Sequence, residues 1–128
     1  MNIQTKLFSW PTKGNHVIMI ARGALDAPGL EQILGEVAAA ALPHLNCKVL
    51  IDLIDATCKV EPEEIDALLR EPRPDLWPRE CKTALVSSPV PDEYTRLSAV
   101  SGSLEARGFR IGIFRDSKAA VEWLAEGS

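Results

Sequence analysis

The chain has 128 residues, 46% of them hydrophobic and 25% charged, which is the size and composition of one globular domain, residues 1–128, able to bury its own core without staples. Its formal net charge of −4 and the scatter of its 14 Lys and Arg exclude a polyanion-binding surface, so no nucleic-acid partner is expected. The opening "MNIQTKLFSWPTKGN" lacks the basic, apolar, small-residue order of a secretory signal, and no apolar window nears the roughly 18 residues that span a bilayer; a cytoplasmic protein with no membrane span is expected.

Residues 3–8, "IQTKLF", alternate apolar and polar with period two, as a strand with one wet face does. The turn-rich "SWPTKGN" reverses the chain into "HVIMIARG", 16–23, a denser apolar strand, and the two pieces form an antiparallel hairpin at one side of a sheet. Asp26 then serves as an N-cap with Pro28 in the first turn, and Leu30, Ile33, Leu34, Val37, Ala38 and Ala41 repeat at helical spacing. "CKVLIDLI", 47–54, is almost continuously apolar, which suits an interior strand covered on both faces.

After the junction "DATCKV", the stretch "EPEEIDALLREP" places Ile65, Leu68 and Leu69 on one helical face behind Pro62, with Pro72 as the stop. "RPDLWPREC" is a proline-punctuated loop, and "KTALVSS", 82–88, is a short buried strand. A helix follows with Pro91, Asp92 and Glu93 in its first turn, Tyr94, Leu97, Val100 and Leu104 on one face, and Gly108 at its end. "FRIGIF", 109–114, is the last strand and "DSKAAVEWLAE", 116–126, a helix capped by Asp116.

The order β-β-α-β-α-β-α-β-α makes the fold class α/β, because strands alternating with helices need right-handed crossovers that build a mostly parallel sheet. The three cysteines, Cys47, Cys58 and Cys81, are odd in number and lack a C-x-x-C pair or a nearby histidine, so neither a disulfide framework nor structural zinc is expected. Cys47 and Cys81 each border an apolar run and read as small core hydrophobes.

The end of the chain, "RIGIFRDSKAAVEWL", 110–124, resembles the closing strand and helix of the SpoIIAA-like family, related to STAS domains and described as STAS/Sec14-like. The likeness extends over "VIMIARGALDAPGLEQIL" and "KVLIDLIDA", and the element order agrees along the chain. The resemblance implies a small α/β/α domain with a mixed sheet of about five strands. In STAS anti-sigma-factor antagonists, the strand corresponding to 47–54 leads to an Asp-Ser-Ser-Gly type motif whose serine is phosphorylated to switch partner binding. Here "IDATCKVEPEEI" keeps Asp55 and Thr57 but has no Ser-Ser-Gly, and Cys58 stands in much of its place, so the phosphoswitch does not carry over.

Ligands of open α/β sheets sit beyond the C-terminal strand ends, and that edge collects Arg22 and Asp26, the stretch from Asp52 to Cys58, Ser87, Ser88, Arg115 and Asp116. Asp26 and Asp116 are accounted for as caps and Ser88 as a turn residue. Asp52 interrupts an interior strand, where a carboxylate needs hydrogen bonds or a cation; Arg22 or Arg115 is placed to supply one, in a structural ion pair or in a site. Thr57 is open to phosphorylation or is an ordinary turn threonine. Cys58 is the best nucleophile on offer, yet "KVEPEE" sets one lysine against three glutamates, a field that opposes the thiolate.

Neither His16 nor His44 makes a Cys-His or Ser-His pair, and "GALDAPG" lacks the spacing and lysine of a phosphate loop. No cofactor, metal or enzyme activity is expected. Trp10 and Trp77, both in proline-containing loops, are candidate anchors for a groove or a dimer interface. The leading expectation is a non-catalytic STAS-like regulatory or protein-interaction module that self-associates. The alternative is a small apolar or lipid-like ligand held in a Sec14-like groove between sheet and helices. The third is a cryptic enzyme using Asp55, Thr57 or Cys58. The candidate edge is therefore Arg22, Asp52, Asp55, Thr57, Cys58 and Arg115.

Overall fold

The computed structural model describes residues 2–10, 14–41, 47–70 and 81–126. The elements are β1 (Asn2–Trp10), β2 (Gly14–Leu25), α1 (Ala27–Ala41), β3 (Lys48–Leu53), β4 (Ala56–Cys58), α2 (Pro62–Leu68), β5 (Lys82–Ser87), α3 (Pro91–Glu105), β6 (Ile111–Phe114) and α4 (Ser117–Ala125). The sheet runs β1-β2-β3-β5-β6, with β1 antiparallel to β2 and the other neighbours parallel, while β4 pairs with β2 off that path. This is the expected α/β order with one strand added.

The hairpin is longer than its apolar pattern suggests. Its register runs from Asn2↔Arg22 to Trp10↔Gly14, so Trp10 ends β1 and does not lie in a loop. Residues 42–46 and 71–80, with His44, Pro72 and Trp77, lie outside the described residues. Helix α2 ends at Leu68 with Leu69 as its C-cap, ahead of the proline taken as its stop.

Alternation along the strands sorts the core into two unequal layers. Val49, Ile51 and Leu53 of β3 and Leu85 of β5 face α1, α2 and α3, whose Leu30, Ile33, Leu34, Val37, Ile65, Leu97, Val100 and Leu104 close over them. On the other face, Ala84 and Val86 meet Ala120 and Leu124 of α4, flanked by Leu50, Phe114 and Trp123. Gly112 lets the aromatic pair sit down on β6, since a Cβ there would come within 3.1 Å of Phe114 and 3.4 Å of Trp123. The two rings then stand 5.3 Å apart. Lys82 Nζ reaches from β5 to donate to the Trp123 and Glu126 carbonyls at the C-terminus of α4, where a cation is favoured by the exposed acceptors and the helix dipole.

The caps read from sequence are in place. Asp26 Oδ1 accepts from Gly29 N at 2.9 Å, and Asp116 Oδ1 accepts from Ala119 N at 2.8 Å. No helix among the described residues is long and apolar enough to cross a membrane.

Candidate functional site at the C-terminal ends of the strands

The stretch after β3 is not the strand-to-helix corner its sequence suggests. Strand β2 pairs with β3 through Ile20↔Asp52 and takes up pairing again with β4 at Gly23↔Ala56. Between these points β2 contributes Ala21 and Arg22, whereas the other side contributes Leu53, Ile54 and Asp55. One surplus residue in one strand is the construction of a β-bulge, and it throws Ile54 and Asp55 outward. Gly23 accommodates the distortion from the opposite side: its φ of 98° is the left-handed region that suits glycine, and its N–H donates to Asp55 O at 3.2 Å.

Asp52 holds this turn. Its Oδ1 accepts from Ile54 N at 3.0 Å, a side-chain-to-backbone bond that braces the bulge. The expectation that Arg22 or Arg115 neutralises Asp52 is corrected by the geometry. Arg22 Nε lies 3.7 Å from Asp55 Oδ2, with both side chains largely exposed. Arg115 stacks its guanidinium 4.2 Å from the centroid of the Tyr94 ring, a cation–π contact between β6 and α3. The two arginines are thus engaged at opposite sides of the rim, and the half-buried Asp52 carboxylate is used by the backbone.

Beyond the bulge, Thr57 points to solvent and Cys58 points into the core, only 2% exposed. Burial pushes the Cys58 thiol above its ordinary pKa; a backbone hydrogen bond at Val60 opposes this, and the charge of Glu93 adds to it. A thiol held neutral and enclosed is a packing group and a poor nucleophile. The opposing field read from "KVEPEE" is present through Glu61, but it is secondary to burial.

The residue that sequence reading missed is Glu93. It looks like an acidic first-turn residue of α3, yet it is buried, and its Oε2 accepts the Cys58 N–H at 2.8 Å while Arg96 Nη1 approaches Oε1 at 3.5 Å. Glu93 therefore ties β4 to α3 by satisfying a backbone donor inside the protein. The signal available in sequence was only that Glu93 precedes Leu97 by one helical turn on the apolar face.

The rim also carries exposed apolar surface. Ile54, at the bulge, is 38% exposed; Val90, where β5 passes into α3, is 52% exposed. Val90 occupies the N-cap of α3 without a side-chain cap hydrogen bond, at a position where Ser, Thr, Asp or Asn is preferred. Ser88 Oγ accepts from Val90 N at 3.2 Å and so takes over part of the turn, while Ser87 Oγ donates to Ser88 O at 3.0 Å. The register Leu53↔Ser87 puts Ile54 and Val90 at the same ends of neighbouring strands. Between sheet and helices, Leu30, Ile51, Leu85, Leu97 and Leu104 help line a wholly apolar cavity of about 20 Å³, room for little more than one water-sized body and far short of an acyl chain. Among the described residues no group of three or more His, Cys, Asp or Glu side chains is arranged to hold a metal.

No family model matches the chain, and no curated protein matches it. Among solved structures it is similar to an uncharacterized protein of the DUF3478 family, with a SpoIIAA-like fold, from Shewanella loihica PV-4. The identity is 19% and the TM-score 0.56, with 95% of this chain and 93% of that chain covered. The anti-sigma factor antagonist SpoIIAA in its unphosphorylated form gives 13% identity and a TM-score of 0.46 over 96% of this chain and 99% of that chain. With the element order, the mixed sheet and the near end-to-end match to the first of these in agreement, the chain has the SpoIIAA-like fold.

Proposed function

We propose that the protein is a non-catalytic regulatory module that binds a protein partner through the rim at the C-terminal ends of β3 and β5. The observation that carries this reading is Val90. An apolar side chain stands, half exposed, at a helix N-cap where a polar residue would stabilise the fold, and a second exposed apolar residue, Ile54, lies at the end of the next strand. A local rule broken without a gain in packing marks a position kept for something other than stability. The charged groups around the pair, Arg22 with Asp55 on one side and Arg115 on the other, make a polar border of the kind that surrounds small protein interfaces. The SpoIIAA-like fold and the sequence resemblance to a family that includes anti-sigma-factor antagonists support the same reading. The burial of Cys58 removes the strongest nucleophile from the enzymatic alternative.

Substitution separates binding from folding at this rim. Val90→Ser adds a capping side chain and is expected to raise stability by about 0.5–2 kcal/mol in urea unfolding. The Ile54→Ser, Val90→Ser double variant is expected to lose a partner that the wild-type protein retains on an affinity resin from native cells, while Val121→Ser on the exposed face of α4 keeps it. Identical capture by all three proteins refutes the proposal. Analytical ultracentrifugation of the same variants reads whether the partner is a second copy of this chain.

A further inference from the structure

At the opposite end of the sheet, Cys47 immediately precedes β3 and Cys81 immediately precedes β5. These strands are parallel neighbours whose register begins at Lys48↔Lys82, so the preceding pair is Cys47 against Cys81. Strand alternation puts Cys47 on the same face as Val49 and Ile51, and Cys81 on the same face as Leu85; both cysteines belong to the core layer under α1 and α3. Adjacent strands run about 4.7–4.9 Å apart, within the roughly 4.4–6.8 Å Cα separation that a disulfide bridges. Two thiols at one register position, on one face, need no backbone movement on that scale to meet.

We propose that Cys47 and Cys81 are a cross-strand dithiol that closes to a disulfide on exposure to a peroxide, making this end of the sheet a redox-modifiable site. Neither is in a disulfide in the structure. The Cys81 thiol hydrogen-bonds the Cys47 sulfur and draws its pKa below the ordinary thiol value; burial opposes this, and a backbone hydrogen bond from Val17 adds to it. Cys47 is accordingly the sulfur that attacks. Its thiolate breaks the peroxide O–O bond and takes one oxygen as a sulfenic acid, and the other oxygen leaves as hydroxide and is protonated to water. The Cys81 sulfur then attacks the sulfenic sulfur, forming the S–S bond and releasing a second water. Two thiols lose two protons and two electrons, and one peroxide becomes two waters. Cys58 stays out of this chemistry, because it is enclosed beyond the bulge at the far end of β3 and its thiol is held neutral.

The test uses the full chain, folded and reduced, exposed to hydrogen peroxide in native buffer, then alkylated and read by intact and peptide mass spectrometry. The expected result is a loss of two hydrogens, protection of two of the three thiols from alkylation after unfolding, and a single linked peptide pair joining Cys47 to Cys81 that disappears with a phosphine reductant. Circular dichroism of the oxidised protein is expected to match that of the reduced protein. The same reaction on Cys58→Ser is expected to give the same link, which keeps the result readable should a Cys47 or Cys81 variant fail to fold. A link that forms only in urea, a link through Cys58, or accumulation of sulfinic acid without a link overturns the proposal.

Discussion

The two ends of this parallel sheet solve opposite problems. At the C-terminal end the strands stop at different depths, a surplus residue buckles the ladder, and side chains that could form a site are turned outward or bound to backbone. At the other end β3 and β5 start in register with their first side chains enclosed, and the groups that meet there are two thiols. Exposure at the first end makes each polar contact cheap to lose but leaves surface for a partner. Enclosure at the second makes any contact costly to disturb and confines chemistry to reagents as small as peroxide. The two proposed roles divide in the same way, recognition where the sheet is open and covalent modification where it is shut.

Four changes test that division, beginning with the largest expected effect. Closing Cys47 to Cys81 ties together residues separated by α2, and the loop-closure argument puts the gain at about 3–4 kcal/mol in urea unfolding of oxidised against reduced protein. An unchanged midpoint would show that the enclosed end is already strained by the link. Glu93→Ala leaves the buried Cys58 N–H without its acceptor and is expected to cost about 1–3 kcal/mol, whereas Glu93→Gln, which keeps an acceptor oxygen, recovers most of it. Equal losses in the two variants would mean that the charge of Glu93 matters more than its hydrogen bond.

Gly23→Ala forces a Cβ onto a backbone with φ of 98° and is expected to cost about 1–2 kcal/mol, with faster amide exchange concentrated in 56–58. Uniform exchange across the sheet would show that β4 is not a separable unit. The smallest effect belongs to Asp55→Asn. Its partner Arg22 is exposed and 3.7 Å away, so the loss is expected to stay within about 1 kcal/mol and to vanish in high salt. A larger, salt-insensitive loss would make the rim part of the folding core and erase the contrast between the two ends.

The fold was legible in the sequence for ordinary reasons. Apolar runs of strand length alternate with amphipathic helices, and Asp26 and Asp116 announce helix starts that the structure places one residue later. Strand β4 was not legible. Three residues are too few to show a period of two, and its existence depends on pairing with β2, which no local pattern encodes. The same limit hid the Cys47 and Cys81 pair: each cysteine reads correctly as buried, but only the register of β3 against β5 makes them neighbours. Glu93 was misread because acidic residues are favoured in a first helical turn whether they face water or the interior. The candidate edge was found as a list, with Asp52 assigned a cationic partner because burial was inferred without the bulge that supplies its hydrogen bond.

The surplus residue in the bulge acts as a phase shifter. Along β2 the inward side chains keep odd numbers, Val17, Met19, Ala21 and Leu25, whereas its partner changes parity at the bulge, from Val49, Ile51 and Leu53 to Ala56 and Cys58. Deleting Ile54 would restore an uninterrupted ladder with both strands in phase, Leu53, Ala56 and Cys58 still facing inward and Thr57 still facing water. A single-residue deletion here would thus do what no substitution can: take the outward loop of the bulge, with the exposed Ile54, off the rim while the enclosed thiol and the ladder beyond it keep their places.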